Sequence, residues 1–197
     1  MAEVEAALGE TWREVARRRA AGETWGSGGG PHRFWRRFVA GTLAGLGGGD
    51  LPEGLLERLV AHFQNHTSWR VYEEVPEVLT ALEARGLLLV VVSNWDASLP
   101  ELLAKHELAD RFHHLVVSAL EGHTKPSRRI FEIALERAGV LPEEAVHVGD
   151  SYAEDYEGAR NAGIRALLLD RPGRGRRGCE TVRTLLDILP LIPPPGN

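Results

Sequence analysis

His147-Val-Gly-Asp-Ser-Tyr-Ala-Glu-Asp-Tyr-Glu-Gly-Ala-Arg-Asn-Ala-Gly163 decides the fold. A short apolar strand leads into it, Asp150 stands where that strand ends, and Asp155 follows about one helical turn later. Gly158, Ala159 and Ala162 are small enough to let the ensuing helix lie close to a sheet. Two carboxylates at the carboxyl end of a strand, with a helix packed behind them, are how a metal-dependent site is built at the edge of a parallel sheet. Taken alone, Gly-Asp-x4-Asp is a weak pattern, because a helix-capping Asp150 beside a solvated Asp155 also satisfies it.

Working toward the amino end, Leu87-Leu-Leu-Val-Val-Val-Ser-Asn-Trp-Asp96 is apolar on both faces and too short to cross a membrane. It predicts a buried parallel strand over 88–92, with a second at 145–148. Ser93 falls at the carboxyl end of the first, where a hydroxyl and the following backbone N–H groups suit a phosphate oxygen. Asp96 or Ser98 caps the next helix, with Pro100 in its first turn.

Between these stretches lies Gly122-His-Thr-Lys-Pro-Ser127, followed by a helical run to Ala138 with Ile130, Phe131, Ala134, Leu135 and Ala138 on one face. Ser127 is the expected N-cap and Gly139 the terminator. Lys125 thus sits in the turn before a helix, where its ammonium reaches into the crevice. The chain has only two lysines, Lys105 and Lys125, and otherwise uses arginine. A point charge on a flexible stem differs in reach and geometry from a forked guanidinium.

Together the three stretches resemble, in order, the second, third and fourth motifs of the haloacid dehalogenase-like hydrolase superfamily, most strongly over residues 71–170. The resemblance implies an α/β fold, a Rossmann-like parallel sheet flanked by helices (71–189) with a small α-helical cap (1–70); the proline-rich stretch 190–197 reads as an extended tail. The resemblance also implies a Mg²⁺-dependent phosphomonoester phosphatase acting on a small phosphorylated metabolite. Ser93 and the Asn94 amide then bind phosphate and Lys125 neutralises charge. Asp150 holds the metal, and Asp155 supports the metal shell or Lys125. Metal-free dehalogenases of the superfamily typically carry Ser-Ser-Asn where this chain has Gly149-Asp150, which favours phosphatase chemistry over haloacid hydrolysis.

The superfamily's first motif, an apolar strand ending in Asp-x-Asp, has no counterpart. The first aspartate is Asp50, behind three glycines, and Asp170 ends an apolar run but is followed by Arg171-Pro-Gly-Arg. In the family that strand lies between those bearing motifs two and four. Without it, strands 88–92 and 145–148 must pair with each other or leave polar groups unsatisfied, at about 1–3 kcal/mol for each buried orphan. The expectation is a chain that begins too late and is inactive as it stands. A residual sheet that closes up, or a strand supplied by another chain, are the other outcomes. A non-catalytic phosphate- or partner-binding relative is the rival from a different class. A Rossmann dinucleotide binder is disfavoured because no Gly-x-Gly-x-x-Gly is read after any strand.

The amino-terminal part predicts three amphipathic helices, over about 2–19, 32–46 and 52–63, with a glycine-rich break at 22–31. A last helix is expected over about 180–188. Trp12, Trp25, Trp35 and Trp69 either fill the helical bundle or line a pocket, while Trp95 adjoins Ser93 and Asn94. At 197 residues and 43% hydrophobic, with a net charge of −5, the chain can bury a sizeable core. Its arginine runs lack interleaved aromatics, so no nucleic-acid surface is expected. Cys179 is alone, and the eight histidines show no zinc-site spacing, with His113 and His114 on opposite faces of one strand. No secretory or membrane-spanning segment is read, which points to the cytoplasm; the oligomeric state is left open.

Overall fold

Five short strands, every hydrogen-bonded pair of them parallel, carry helices on both faces in a computed structural model that describes residues 2–20, 30–48, 52–64 and 69–192. In chain order these are α1 (Ala2–Ala20), α2 (Gly30–Gly45), α3 (Leu55–Gln64), α4 (Val75–Glu83), β1 (Val90–Ser93), α5 (Leu99–Lys105), β2 (His114–Val117), α6 (Ser118–Glu121), α7 (Arg128–Ala138), β3 (Val146–Gly149), α8 (Gly158–Asn161), β4 (Arg165–Leu169) and β5 (Thr181–Val182).

The period-2 alternation of each strand assigns its two faces. Val90 and Val92 of β1, Val116 of β2, and Ala166 and Leu168 of β4 meet Ile130, Phe131 and Ala134 of α7, together with Ala159 of α8 and Ala162 just after it. On the opposite face, Val146, Val148, Leu167 and Leu169 pack against Val78 and Leu82 of α4 and against Val182 and Ile188. Val91, Leu115 and Val117 pack against Leu99 and Leu102 of α5. Both faces are covered, as the unbroken apolar run of β1 predicts, and the Rossmann-like α/β expectation holds.

Hydrogen bonding divides the strands in two. Among the described residues β1 pairs only with β2, from Val90 opposite His114 to Ser93 opposite Val117. β3 pairs with β4, and β4 with β5. Among the described residues, nothing pairs β1 with β3, so the residual sheet does not close up. Every residue of β1 and β3 is half-buried, whereas Val116, Val117, Ala166, Leu167 and Leu168 on their neighbours are buried. β1 and β3 are thus less deeply buried than the strands they pair with.

Local signals place the helix that fixes the middle of the site. The Ser127 side chain accepts from the Arg129 N–H at the start of α7, and Gly139 ends it at φ 67°, its N–H donating to the Leu135 carbonyl. At the amino end, Trp35, Phe38, Val39 and Val60 form the buried centre of a three-helix unit, joined by Leu8, Val15, Leu56 and Leu59. Trp12 lies against Phe38 at 4.6 Å between ring centroids. Trp35 therefore fills the bundle, and Trp12 packs on its aromatic side while staying partly exposed.

Some expectations are corrected. The predicted helix over 180–188 is instead β5 followed by a 3₁₀ turn at Leu185–Ile188, because β-branched Thr181 and Val182 extend the sheet beside β4 and Asp187 caps the Arg183 and Thr184 N–H groups. Only His114 lies in β2; His113 precedes it, and its Nδ1 accepts from the Leu89 N–H. Most of the glycine-rich break, with Trp25, and the end of the tail fall outside the described residues.

Candidate active site

The carboxyl ends of β1 and β3 meet through side chains. Asn94, the first residue after β1, grips the Lys125 backbone from both sides: its Oδ1 accepts the Lys125 N–H at 2.7 Å, and its Nδ2 donates to the Lys125 carbonyl at 3.0 Å. The same Nδ2 donates to Glu154 Oε2 at 3.0 Å. The Asn94 side chain is thereby committed to holding the lysine turn, which leaves its backbone amide as the group for a ligand.

Lys125 is 9% exposed and Asp155 3%, and Nζ donates to Asp155 Oδ1 at 2.5 Å. His147 Nε2 lies 3.0 Å from the same oxygen, and the Ser151 N–H donates to Oδ2 at 2.9 Å. Burial by itself raises the Asp155 carboxyl. The His147 hydrogen bond and the charges of Lys125 and His147 outweigh it and hold the group well below the usual carboxylate range. Asp155 is an anchor that orients the lysine.

Backbone geometry makes this arrangement compact. Over Tyr152–Glu157 the chain forms a wide turn in which the Tyr156 N–H reaches back five residues to the Ser151 carbonyl at 3.2 Å. Asp155 is thereby laid against Gly149, where a Cβ would stand 2.5 Å from Asp155 Oδ2 and 2.6 Å from its Cβ. Behind it, a Cβ on Gly158 would meet Phe131 at 2.9 Å and Pro126 at 3.1 Å, so the glycine lets α8 approach the lysine turn.

Of the residues singled out from sequence, the structure brings Asn94, Lys125 and Asp155 into one hydrogen-bonded cluster. Ser93 ends β1, half-buried, and Asp150 follows β3, exposed. Among the described residues, neither the Ser93 hydroxyl nor the Asp150 carboxylate takes part in a hydrogen bond or ion pair. Both are available at the rim of the cluster, next to residues that bind each other.

Two members were not picked out. His147 was passed over because it lies within the strand, where alternation with Val146 and Val148 turns its ring toward Phe131, at 5.2 Å edge-on, and toward Asp155. Glu154 reads as a solvent residue until the wide turn rotates it toward Asn94. One Gly-x-Gly-x-x-Gly does occur, at Gly173-Arg-Gly-Arg-Arg-Gly178. It lies in the exposed connection from β4 to β5 and opens no helix, so it lacks the helix N-terminus that a pyrophosphate needs.

For a divalent cation the donor set is oxygen-rich and incomplete, which suits Mg²⁺, an ion that keeps several waters and takes one or two carboxylates plus substrate oxygens. Asp150 offers a free carboxylate, and Asp155 Oδ2 has one acceptor position left after Ser151. No group of three or more His, Cys, Asp or Glu side chains converges among the described residues, so a closed all-protein metal cage is absent there. No helix among them is long and apolar enough to cross a membrane.

Residues 2–163 match the model of a family described as haloacid dehalogenase-like hydrolase. Over 176 residues the chain is 35% identical to haloacid dehalogenase-like hydrolase domain-containing protein 3 of Bos taurus, covering 86% of this chain and 70% of that protein. In the mouse and human proteins of that name the match takes in 55% and 57% of their length, so the chain spans little more than half of these relatives. It is 38% identical over 124 residues to a phosphoserine phosphatase of Thermus thermophilus, covering 62% of this chain and 50% of that one. Among solved structures, a HAD phosphatase from Thermococcus onnurineus superposes with a TM-score of 0.65 at 25% identity, covering 97% of this chain and 88% of the other.

Proposed function

The chain belongs to the haloacid dehalogenase-like hydrolase family, and on that premise we propose that its site serves Mg²⁺-dependent hydrolysis of a small phosphomonoester. The observation that carries this reading is the buried Lys125–Asp155 pair, tied to the residue after Ser93 through Asn94 and to the residue after Asp150 through the Ser151 N–H. A fixed ammonium, a hydroxyl and the N–H groups after β1 offer charge and donors to the equatorial oxygens of a phosphoryl group. A carboxylate one strand away offers a ligand to the cation.

In this reading Asp150 would hold Mg²⁺, and Asp155, with its remaining acceptor position, would support the metal shell while anchoring Lys125. The cation supplies neutralisation of phosphate charge. Ser93 and the Asn94 N–H orient the phosphate, and Lys125 Nζ, while held by Asp155, offers its remaining donors to the phosphate oxygens. His147 and the Ser151 N–H keep Asp155 in place as it does so. Residues 1–70 act as the cap, 71–189 as the core.

The attacking group is a separate question, because no Asp-x-Asp occurs in the 197 residues. We place the nucleophilic aspartate on a strand from outside them, seated against the unpaired edges of β1 and β3. Its carboxylate attacks phosphorus, the departing alkoxide takes a proton from the second aspartate of that motif, and water hydrolyses the acyl phosphate. The 197-residue chain is then inactive. Hydrolysis of 4-nitrophenyl phosphate tests the whole reading. No significant turnover is expected of the 197-residue chain, and EDTA-sensitive turnover is expected of a chain extended by an apolar strand ending in Asp-x-Asp. Metal-independent chloride release from a 2-haloacid by the extended chain would point to dehalogenation instead. Phosphate binding with no turnover after extension would favour a non-catalytic phosphate-binding role.

A further inference from the structure

One buried acid is unused by the chemistry above. Asp96 stands two residues beyond Asn94, is 2% exposed, and forms no ion pair among the described residues. Its Oδ1 accepts the Ser98 N–H at 2.8 Å, and its Oδ2 accepts the Trp35 indole N–H at 3.3 Å. Burying a carboxylate without a cation is costly. An asparagine or serine would satisfy the Ser98 N–H alone at lower cost. What a carboxylate adds is a second accepting oxygen, with charge to strengthen both bonds, where an asparagine would present a donor.

The two donors belong to different parts of the molecule. Ser98 closes a segment fastened to the sheet: Asn94 holds the Lys125 backbone, and the Ser118 hydroxyl accepts the Trp95 N–H and donates to the Trp95 carbonyl, both at 3.1 Å. Trp35 belongs to α2 and lies in the buried centre of the three-helix unit. Its ring also meets Trp95 at 5.9 Å and Trp69 at 6.1 Å, and those two rings meet each other at 4.8 Å. We propose that Asp96 is a positioning residue: its buried carboxylate clamps the Trp35 indole and so fixes where the helical unit sits over the Ser93–Asn94 loop. This rests on the reading of that loop as the phosphate site.

Two readouts on the 197-residue chain separate the clamp from that reading. The first is exchange of the Trp35 indole N–H, identified among the five tryptophan signals by its loss in Trp35→Phe. It is expected to be protected in the wild type and to exchange about tenfold faster or more in Asp96→Asn. The second is tungstate binding in Mg²⁺, expected to weaken several-fold in Asp96→Asn and Trp35→Phe. The double variant should bind no more weakly than the worse single one. A freely exchanging indole in the wild type, additive losses in the double variant, or an unchanged tungstate affinity in both single variants overturns the proposal. If the wild type binds no tungstate, the phosphate reading fails, and the indole exchange alone still decides the clamp. Should Asp96→Asn fail to fold, Trp35→Phe, which keeps an aromatic ring in place, carries the affinity readout.

Discussion

Replacing Gly149 by alanine adds one carbon where there is no room for it. The new Cβ would lie 2.6 Å from Asp155 Cβ and 2.5 Å from its Oδ2, whereas carbon atoms rest at about 3.5–4.0 Å. Asp155 must move by about 1 Å. Because its own Cβ is part of the clash, rotating the carboxylate does not suffice and the turn over Tyr152–Glu157 has to shift. A 2.5 Å contact from Lys125 Nζ to Oδ1 does not survive such a shift. Both partners are almost fully buried, so a broken pair leaves a stranded charge, a loss of about 3–5 kcal/mol. Set against about 5–15 kcal/mol for a whole domain, that is a large fraction of the stability. Urea unfolding measures it, with the slope m checked for constancy. Gly122→Ala is the control: it also adds a methyl, at φ 70° but in open space, and should cost only about 1–2 kcal/mol. A loss at Gly149→Ala no larger than that of the control would refute the claim that Asp155 is wedged against the strand end and holds Lys125.

Other consequences follow from the same cluster. Because the Asp155 carboxyl is depressed below its ordinary value of 3.8, its stabilisation is complete above that value and is lost as pH falls below it, toward the depressed value. The stability difference between wild type and Asp155→Asn, followed by urea unfolding, should therefore be constant above about pH 5 and shrink as the medium is acidified further. A difference that stays flat down to pH 3 would contradict this. Asn94→Ala removes two bonds to the Lys125 backbone and one to Glu154, and should cost about 2 kcal/mol or more, with increased amide exchange at Lys125; unchanged exchange there would show that the turn holds itself.

Much of this was legible because the signals are local. The run before Ser93 is apolar on both faces, and β1 is covered on both. Ser127 and Gly139 mark the ends of α7. The spacing from Asp150 to Asp155 places both beyond β3, and Lys125 stood out as one of two lysines. What could not be read depends on distance or on a change of helical phase. The wide turn after Ser151 departs from the 3.6-residue period, so neither Glu154 facing Asn94 nor Asp155 facing His147 follows from an ordinary helix. The Asp96–Trp35 bond joins residues 61 apart in sequence, and no pattern announces it. The expected helix over 180–188 failed because the β-branched pair at 181–182 had a strand edge at β4 to join, a partner that the local sequence does not reveal.

Tungstate binding by the 197-residue chain, titrated with and without Mg²⁺ and followed by isothermal calorimetry, bears most directly on the central claim that phosphate and a divalent cation share the crevice beside Lys125. Binding strengthened by Mg²⁺ is expected in the wild type. Ser93→Ala and Lys125→Ala should weaken it, and Asp150→Ala should remove its metal dependence. Binding that ignores the metal and all three substitutions, or no binding at all, would contradict the account.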